Sequence, residues 1–386
     1  MVFLRKHGGY DLKNTNLLFV KNRKITKCSL KMLNGRVTIE ILDQDIDGKI
    51  IGRLISLINY VESKYKRINI PIVIRFGNIR FRDKLTYIIL ECIAYYLIVE
   101  KKHDVIICYN PTIGIDIEGI LSSPLKLLRS PKREIRMDFS RKFKQDIQLK
   151  HFRKVVPQKD VGILDEINYF LEIFNIDKES REDISEVFAE LISNGTEHGD
   201  GECLVDIDVT DDYHKVGEND ISKQYYGINI VVLNFSEKLL GSQIRKKILD
   251  SDLMTERYKQ VKEAYFFHKS FFSDEYCDED FFNLTTFQDR ISGRLDDELT
   301  GGTGLTLLIR SLEQKSDTNL CYVLSGSRAL GFKQEYLEYN SEKWLGFNEE
   351  NDFLTTAPNY ELLMSGCDIF FPGTAYNLHF IMEKYV

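Results

Sequence analysis

Three polar residues of different chemistry recur at four-residue steps: the carboxylate of Glu190, the carboxamide of Asn194 and the imidazole of His198. On a helix these side chains form one stripe, because residues four apart lie on the same side. The stripe borders an apolar face made of Ile184, Val187, Phe188, Leu191 and Ile192. A carboxamide oxygen suits a hard cation such as Mg²⁺, and a carboxylate can orient or deprotonate an attacking water. The pattern therefore indicates half of a nucleotide site.

The alternative for this segment is an ordinary amphipathic helix that ends at Gly199 and Gly201. A second motif favours the nucleotide site. Residues 300–309 read TGGTGLTLLI, a glycine-rich loop that runs directly into an apolar helix. Glycines let the backbone approach an anion closely, and the free N–H groups at a helix start can donate to it. The residues predicted to bind phosphate are Gly301, Gly302, Thr303, Gly304 and Leu305.

A third segment lies near the C-terminus, where Phe370 to Thr374 precede an alternating strand from Ala375 to Met382. In order and spacing, the three segments together resemble the GHKL family of gyrase-type ATPases, heat-shock chaperones, histidine kinases and mismatch-repair ATPases. The resemblance covers residues 160–386. Because His-Gly follows the helix, the chain looks most similar to anti-sigma-factor serine kinases and histidine-kinase ATPase domains.

This resemblance implies ATP and Mg²⁺ as ligands. Glu190 would act as the base on the attacking group, and Asn194 would hold the metal. The residues implied to contact the nucleotide are Asn194, His198, Asn234, Thr374 and the lid residues Gly301, Gly302, Thr303, Gly304 and Leu305. The implied fold is a C-terminal GHKL (Bergerat) α/β two-layer sandwich, a mixed sheet with helices on one face, within a chain of the α+β class.

The chain departs from the family between the two nucleotide motifs. The family carries an Asp-x-Gly-x-Gly there, whereas the candidate strand 228–234 ends at Asn234 and continues Phe235-Ser236-Glu237, without either glycine. In the lid, Thr306 replaces a later glycine. Three functions stay open: an ATPase whose nucleotide state switches a conformation or a partner contact, an anti-sigma-type serine or histidine kinase, and a nucleotide sensor with little turnover.

Whole-chain properties limit the choice of class. At 43% hydrophobic the chain can bury ample cores, and its 386 residues predict two domains or one domain with elaborations. The net charge of −7 does not favour a general polyanion binder. Seven scattered cysteines indicate neither a zinc site nor a disulfide scaffold, and no signal peptide or membrane span is predicted. We expect a cytoplasmic protein that binds ATP and a protein partner. Nucleic acid is the less favoured ligand, no membrane contact is expected, and a homodimer stays open.

The first half of the chain predicts a smaller α/β domain over 1–130. Apolar strands at 37–42, 70–76 and 104–109 alternate with helices at 48–65 and 84–99. The order resembles the STAS fold of anti-sigma antagonists. Where those antagonists often carry a phosphorylatable Ser after an Asp, this chain has Lys84, so no phosphoswitch is predicted.

Two further segments need an interpretation. Residues 132–154 carry nine Lys or Arg against three Asp or Glu, and we interpret 131–160 as a solvated basic linker with His151 as an ordinary surface residue. Nucleic acid or an acidic partner is the alternative. The ATP-binding domain then spans 161–386, with a lid insertion at 241–299. The insertion is rich in aromatic residues, for which packing against the sheet is slightly preferred over a partner surface.

Overall fold

The structure is a computed structural model. It describes residues 9–23, 31–42, 45–65, 70–77, 80–81, 83–108, 123–129, 133–158, 160, 162–198, 201–213, 223–250, 255–291, 304–316, 321–364 and 367–384. Within these ranges the chain forms a four-stranded sheet in its first half, an eight-stranded sheet in its second half and a separate two-stranded pair.

The first half alternates strands and helices as the sequence predicts. Its elements are α1 (Asn16–Lys21), β1 (Lys31–Leu33), β2 (Arg36–Ile41), β3 (Asp45–Ile46), α2 (Gly48–Lys64), β4 (Ile72–Phe76), β5 (Arg80–Phe81), α3 (Lys84–Tyr95) and β6 (Val105–Cys108). Strands β2, β4 and β6 pair in parallel, with β1 antiparallel at the edge. Side-chain caps start both long helices: Asp47 accepts from Ile50 N at 3.0 Å, and Asp83 accepts from Thr86 N at 2.7 Å.

The second half contains the larger sheet. Its elements are α4 (Arg133–Lys144), β7 (Gln145–Gln148), β8 (His151–Val156), α5 (Ile163–Glu172), α6 (Lys178–Ser193), β9 (Cys203–Tyr213), β10 (Tyr225–Phe235), α7 (Ser242–Asp250), α8 (Glu256–His268), α9 (Asp278–Thr285), α10 (Gly304–Lys315), β11 (Tyr322–Gly326), β12 (Arg328–Gly331), β13 (Leu363–Met364) and β14 (Phe371–Glu383). The strand order is β13-β12-β11-β14-β10-β9-β8-β7.

The mixed sheet predicted for this half is wrong for the described strands, because every neighbouring pair in the eight-stranded sheet is antiparallel. The connection from β8 to β9 shows the reason. Two helices, α5 and α6, lie between these strands, so the chain passes through three connections, and three reversals leave it pointing opposite to its start. The chain therefore returns to the sheet running opposite to β8.

The basic linker predicted at 131–160 is also corrected. Its described residues form α4 and the strands β7 and β8, which occupy one edge of the large sheet. Apolar residues in the basic run explain this folding: Phe139 and Phe143 of α4 and Phe152 of β8 are 0%, 0% and 1% exposed. The charges that suggested solvation lie between these buried positions.

Both faces of the large sheet are covered. One apolar core joins one face of the sheet to α5, α6, α10 and the helices of the insertion. A second core joins the opposite face, through residues such as Leu204, Leu233 and Phe371, to the helices and strands of the first half. A two-layer sandwich standing apart from the first domain is therefore not observed. The two halves share a core.

Buried charges lie in the interface between the halves. Lys84, the first residue of α3, is 4% exposed, and its Nζ lies 2.6 Å from both Asp206 Oδ1 and Asp208 Oδ2 of β9. The Arg153 guanidinium pairs with Asp206 and, at 2.6 Å, with Glu91 Oε2 of α3. Burial alone would raise the pKa of Asp206, but Arg153, Lys84 and His151 together hold it well below its ordinary value.

The first prediction concerns Lys84. Lys84→Met should lower the free energy of unfolding by about 3 kcal/mol, since removing one partner leaves a buried carboxylate uncompensated. Urea denaturation measures the loss. The control is Lys31→Met, which removes an exposed pair with Glu40 and should cost about 1 kcal/mol or less. Adding Asp208→Asn to Lys84→Met should recover part of the loss. Equal losses for the two lysine variants would contradict this role of Lys84.

Candidate functional site

Helix α6 carries the predicted polar stripe. Asp177 caps its start by accepting from Ser180 N at 2.9 Å, and the predicted apolar face is buried against the sheet. After Ser193 the helix continues as a π-helical turn, Asn194–His198. Such turns often occur at functional sites. Four residues make less than one full turn of a π-helix, so the backbone of His198 is rotated away from the stripe of Glu190 and Asn194. The side chain of His198 lies outside the described part.

Glu190 and Asn194 form the polar border as predicted. Asn194 Nδ2 donates a hydrogen bond to Glu190 Oε1 at 3.0 Å, and both side chains are half-buried. In this amide orientation the nitrogen of Asn194 faces the carboxylate, which leaves the Oδ1 atom as an acceptor. Asn194 can thus offer an oxygen to a cation while it also orients the neighbouring carboxylate.

The base-side residues meet beneath the end of this helix. Asn234, at the end of β10, is 5% exposed and pairs in register with Thr374 of β14 and with Cys203 of β9. A Cβ atom added at Gly195, the residue after Asn194, would lie 3.9 Å from Asn234 Oδ1. The sheet therefore places Asn234 and Thr374 side by side, with the amide of Asn234 close to the helix end.

A glycine makes this close pairing possible. Gly373 has a φ of +105°, and a Cβ there would collide with the carbonyl oxygen of Asn234. The segment Gly373-Thr374, part of the third segment that carries the resemblance, is therefore a place where the backbones of β14 and β10 approach closely.

Helix α10 packs against the helix that carries Glu190 and Asn194. Its apolar residues Leu308, Ile309 and Leu312 are fully buried, and the helix packs along α6. Lys315, at its C-terminal end, forms an ion pair with Asp183 in the first half of α6. Of the predicted lid, Gly301, Gly302 and Thr303 lie outside the described residues, whereas Gly304 begins α10 and Leu305 is 9% exposed.

The first half of the chain contacts the rim of this site. Asn22 donates through Nδ2 to Phe370 O at 2.8 Å and accepts from Phe370 N at 2.7 Å, just before β14. Lys21 forms an ion pair of 2.5 Å with Glu237, three residues after Asn234. Lys13 forms another of 2.5 Å with Glu202, beside Cys203. The N-terminal segment around α1 therefore contacts the chain on both sides of the Asn234–Thr374 pair.

His151 was predicted to be a surface residue, and this prediction is wrong. The ring is 4% exposed, with Nε2 at 3.1 Å from Asp206 Oδ2 and Nδ1 at 3.3 Å from Asp146 Oδ2. Although burial lowers it, the carboxylates of Asp206 and Asp146 raise the pKa of His151 to about 9.

Together with Asp206 and Asp208, His151 forms a group of potential metal ligands. Metal ligation requires a neutral imidazole, whereas the raised pKa keeps His151 protonated near neutral pH. The ammonium of Lys84 also lies between the two carboxylates. The geometry is that of an ion-pair cluster between the halves, and we assign it no metal.

The basic run is largely neutralised by carboxylates. Its described pairs join Arg136 to Asp104, Arg141 to Asp138, Lys142 to Asp146, Lys144 to Asp11, Lys150 to Asp211, and Lys154 to Asp160 and Glu166. The carboxylates come from several elements of both halves. This pairing does not favour the alternative of a nucleic-acid surface.

The aromatic residues of the insertion mostly belong to the core. Tyr265, Tyr276, Phe281 and Phe282 are 5% exposed or less, in the core that joins the insertion to the sheet. Phe266 and Phe267 are 55% and 49% exposed. Most of the cluster is thus packing within the domain, as the preferred interpretation holds.

Tyr376 is a residue of this region that sequence reasoning missed. It lies two positions after Thr374 on β14, on the same face of the sheet, since side chains alternate along a strand. The alternation of side chains along a strand would have indicated Tyr376 if the predicted site had been extended two residues beyond Thr374.

Comparison with known proteins gives no relative: no protein-family model, no curated protein and no solved structure matches this chain. In the described part of the chain, no helix combines the length and the apolar character needed to cross a membrane.

The second prediction concerns base selectivity. An ionised Asp accepts from the adenine amine and repels the carbonyl of guanine, whereas the amide of Asn234 can rotate to meet either pattern. Competition binding should therefore show a weak preference for ATP over GTP. Asn234→Asp should raise that preference on the order of tenfold.

Asn168→Asp, on helix α5, is the control and should leave the preference unchanged. Strong ATP selectivity in the wild type that Asn234→Asp does not alter would mean that Asn234 does not face the base.

Proposed function

We propose that this protein is an ATP-binding protein of the GHKL type, a Mg²⁺-dependent ATPase whose nucleotide state switches its conformation or its partner contacts. The observation that carries the proposal is the pairing of Asn234 with Thr374 directly beneath the end of the helix that bears Glu190 and Asn194. Residues from three distant segments of the sequence meet there, and an antiparallel course of α10 along α6 would add the start of α10 as a fourth.

The arrangement fits a ligand that has a base at one end and phosphate groups at the other. Asn234 and Thr374 supply neutral donors and acceptors suited to a base. On the other side, the N-terminus of α10 supplies free backbone N–H groups, and its helix dipole favours anions, as phosphate binding requires. The three sequence segments that carry the resemblance lie on α6, at the start of α10 and on β14, in the order that the resemblance implies.

Glu190 would act on the attacking group. Its carboxylate is half-buried and accepts the Asn194 amide, so it is held in a fixed direction at the border of the helix. A carboxylate in this position can orient a water molecule and accept its proton. Asn194 fits a Mg²⁺ ligand through its remaining oxygen, and Mg²⁺ supplies neutralisation of phosphate charge when bound.

A nucleotide-dependent switch is supported by the contacts of the first half. Asn22, Lys21 and Lys13 touch Phe370, Glu237 and Glu202, which flank the base-side pair. A ligand that moves these flanks would alter the contacts of α1 and the surface that a protein partner meets. A nucleotide sensor with little turnover is the second candidate, because the segment after Asn234 lacks both family glycines and is tied to β14 by a bond from Ser236 N to Pro372 O.

The third prediction tests metal-dependent binding. Calorimetric titration with ATP and Mg²⁺ should show binding to the wild type, and Asn194→Ala should abolish the part of the affinity that depends on Mg²⁺, since the helix then offers no amide oxygen. Asn168→Ala, on the neighbouring helix α5, is the matched control and should bind like the wild type. Unchanged Mg²⁺-dependent affinity in Asn194→Ala would contradict the assignment of this helix.

The fourth prediction separates chemistry from binding. Glu190→Gln should retain ATP and lower turnover by about a hundredfold or more, the usual contribution of a general base. The control is Glu186→Gln, an exposed position one turn earlier on α6. Phosphate release distinguishes the functions: an ATPase releases phosphate alone, a kinase transfers it to a partner protein, and a sensor does neither. Hydrolysis that survives Glu190→Gln would remove Glu190 from the catalytic role.

A further inference from the structure

Two buried residues on the elements of the proposed site have a hydroxyl group without a hydrogen-bond partner in the described structure, Thr306 on α10 and Tyr376 on β14. Tyr376 is 3% exposed, and its phenolic oxygen makes no hydrogen bond. A buried polar group in this condition is costly, and most buried hydroxyl groups in proteins are paired. An unpaired buried hydroxyl group therefore requires an explanation. A bound ligand that forms the missing hydrogen bond is one such explanation.

The position of Tyr376 points to the nucleotide site. On β14 it lies opposite Val232 of β10 and Val323 of β11, one pleat beyond the Asn234–Thr374 pair. One pleat is about 7 Å along a strand. Its ring belongs to the core beneath α6 and α10. Burial first, and then the nearby carboxylate of Glu190, raise the pKa of Tyr376, so the phenol stays protonated and can donate.

We propose that the Tyr376 hydroxyl group hydrogen-bonds the nucleoside part of a bound nucleotide and helps to determine its affinity. The inference rests on the proposed function. We assign the nucleoside because Tyr376 shares its strand and sheet face with Thr374 on the base side. The nearby Glu190 carboxylate would lie on the phosphate side, and tripolyphosphate in the test below distinguishes a contact with the nucleoside from one with the phosphates. A phenol both donates and accepts, which suits a base edge or a ribose hydroxyl group.

The proposal has a two-part signature. Without ligand, Tyr376→Phe removes an unpaired polar atom and keeps the ring, so the thermal midpoint should be equal to or higher than that of the wild type. With ligand, the same change removes a hydrogen bond, so ATP should bind roughly threefold to tenfold more weakly. A residue with a purely structural role would not raise stability and lower affinity together.

The test measures thermal midpoints and calorimetric affinities of the full chain, with ATP and with inorganic tripolyphosphate. Tyr376→Phe should weaken binding of ATP and leave binding of tripolyphosphate unchanged, because the latter lacks the nucleoside. The matched control is Tyr322→Phe on the adjacent strand β11. Its hydroxyl group donates to Asp83 Oδ2 at 2.9 Å, so its loss should lower the midpoint without changing ATP affinity.

Three outcomes would overturn the inference. A lowered midpoint in ligand-free Tyr376→Phe would mean that the hydroxyl group has a structural partner. If Tyr376→Phe bound ATP as tightly as the wild type does, or lost as much affinity for tripolyphosphate as for ATP, the proposed contact with the nucleoside would be wrong. The proposed function would still stand. A wild type that binds neither ATP nor tripolyphosphate would overturn the proposed function, and the inference with it.

Discussion

The structure depends on the neutralisation of one buried carboxylate, that of Asp206. Two elements from different parts of the chain supply cations to it: Arg153 and His151 from β8, and Lys84 from α3. An isolated ionised carboxylate at 0% exposure would be strongly unfavourable. Docking of the first half brings Lys84 to this carboxylate, in addition to the two cations of the sheet, and so links the folding of the two halves.

This constraint has consequences at the candidate site, which lies on the opposite face of the same strands. Strand β9 alternates Cys203, Val205 and Ile207 toward α6 with Leu204, Asp206 and Asp208 toward the first half. Because both faces are fixed by packing, the register that pairs Asn234 with Thr374 is also fixed. The docked first half then contacts the rim of the site through α1. A ligand at the site and the docking of the first half therefore act on the same strands.

The sequence predicted those features of the fold that follow from the spacing of apolar residues within one segment. The buried face of α6, the apolar residues of α10 and the alternating elements of the first half follow from spacing alone, and they are confirmed. The neutralisation of Asp206 could not be read in this way, because its partner Lys84 lies over a hundred residues earlier. Alternating Val205, Asp206 and Ile207 is the pattern of a strand with one face in water. The same limit explains the errors at 131–160 and at His151. The many charges there suggested exposure to solvent, but ion pairs with residues distant in the sequence allow these charged residues to be buried.

In the proposed site, Asn234 at the position where the GHKL pattern has an Asp would change the charge balance. A nucleotide triphosphate is a polyanion, and Glu190 already places one negative charge at the border of α6. An Asp at 234, 5% exposed under the end of the same helix, would add a second charge in a region of low dielectric. The amide removes that repulsion and also removes the repulsive component of base discrimination. In the proposed site the phosphate side would contribute affinity that does not depend on the base, and Asn234, Thr374 and Tyr376 would contribute neutral hydrogen bonds to the nucleoside. A change at Asn234 would therefore alter base selectivity while the affinity from the phosphate side is retained.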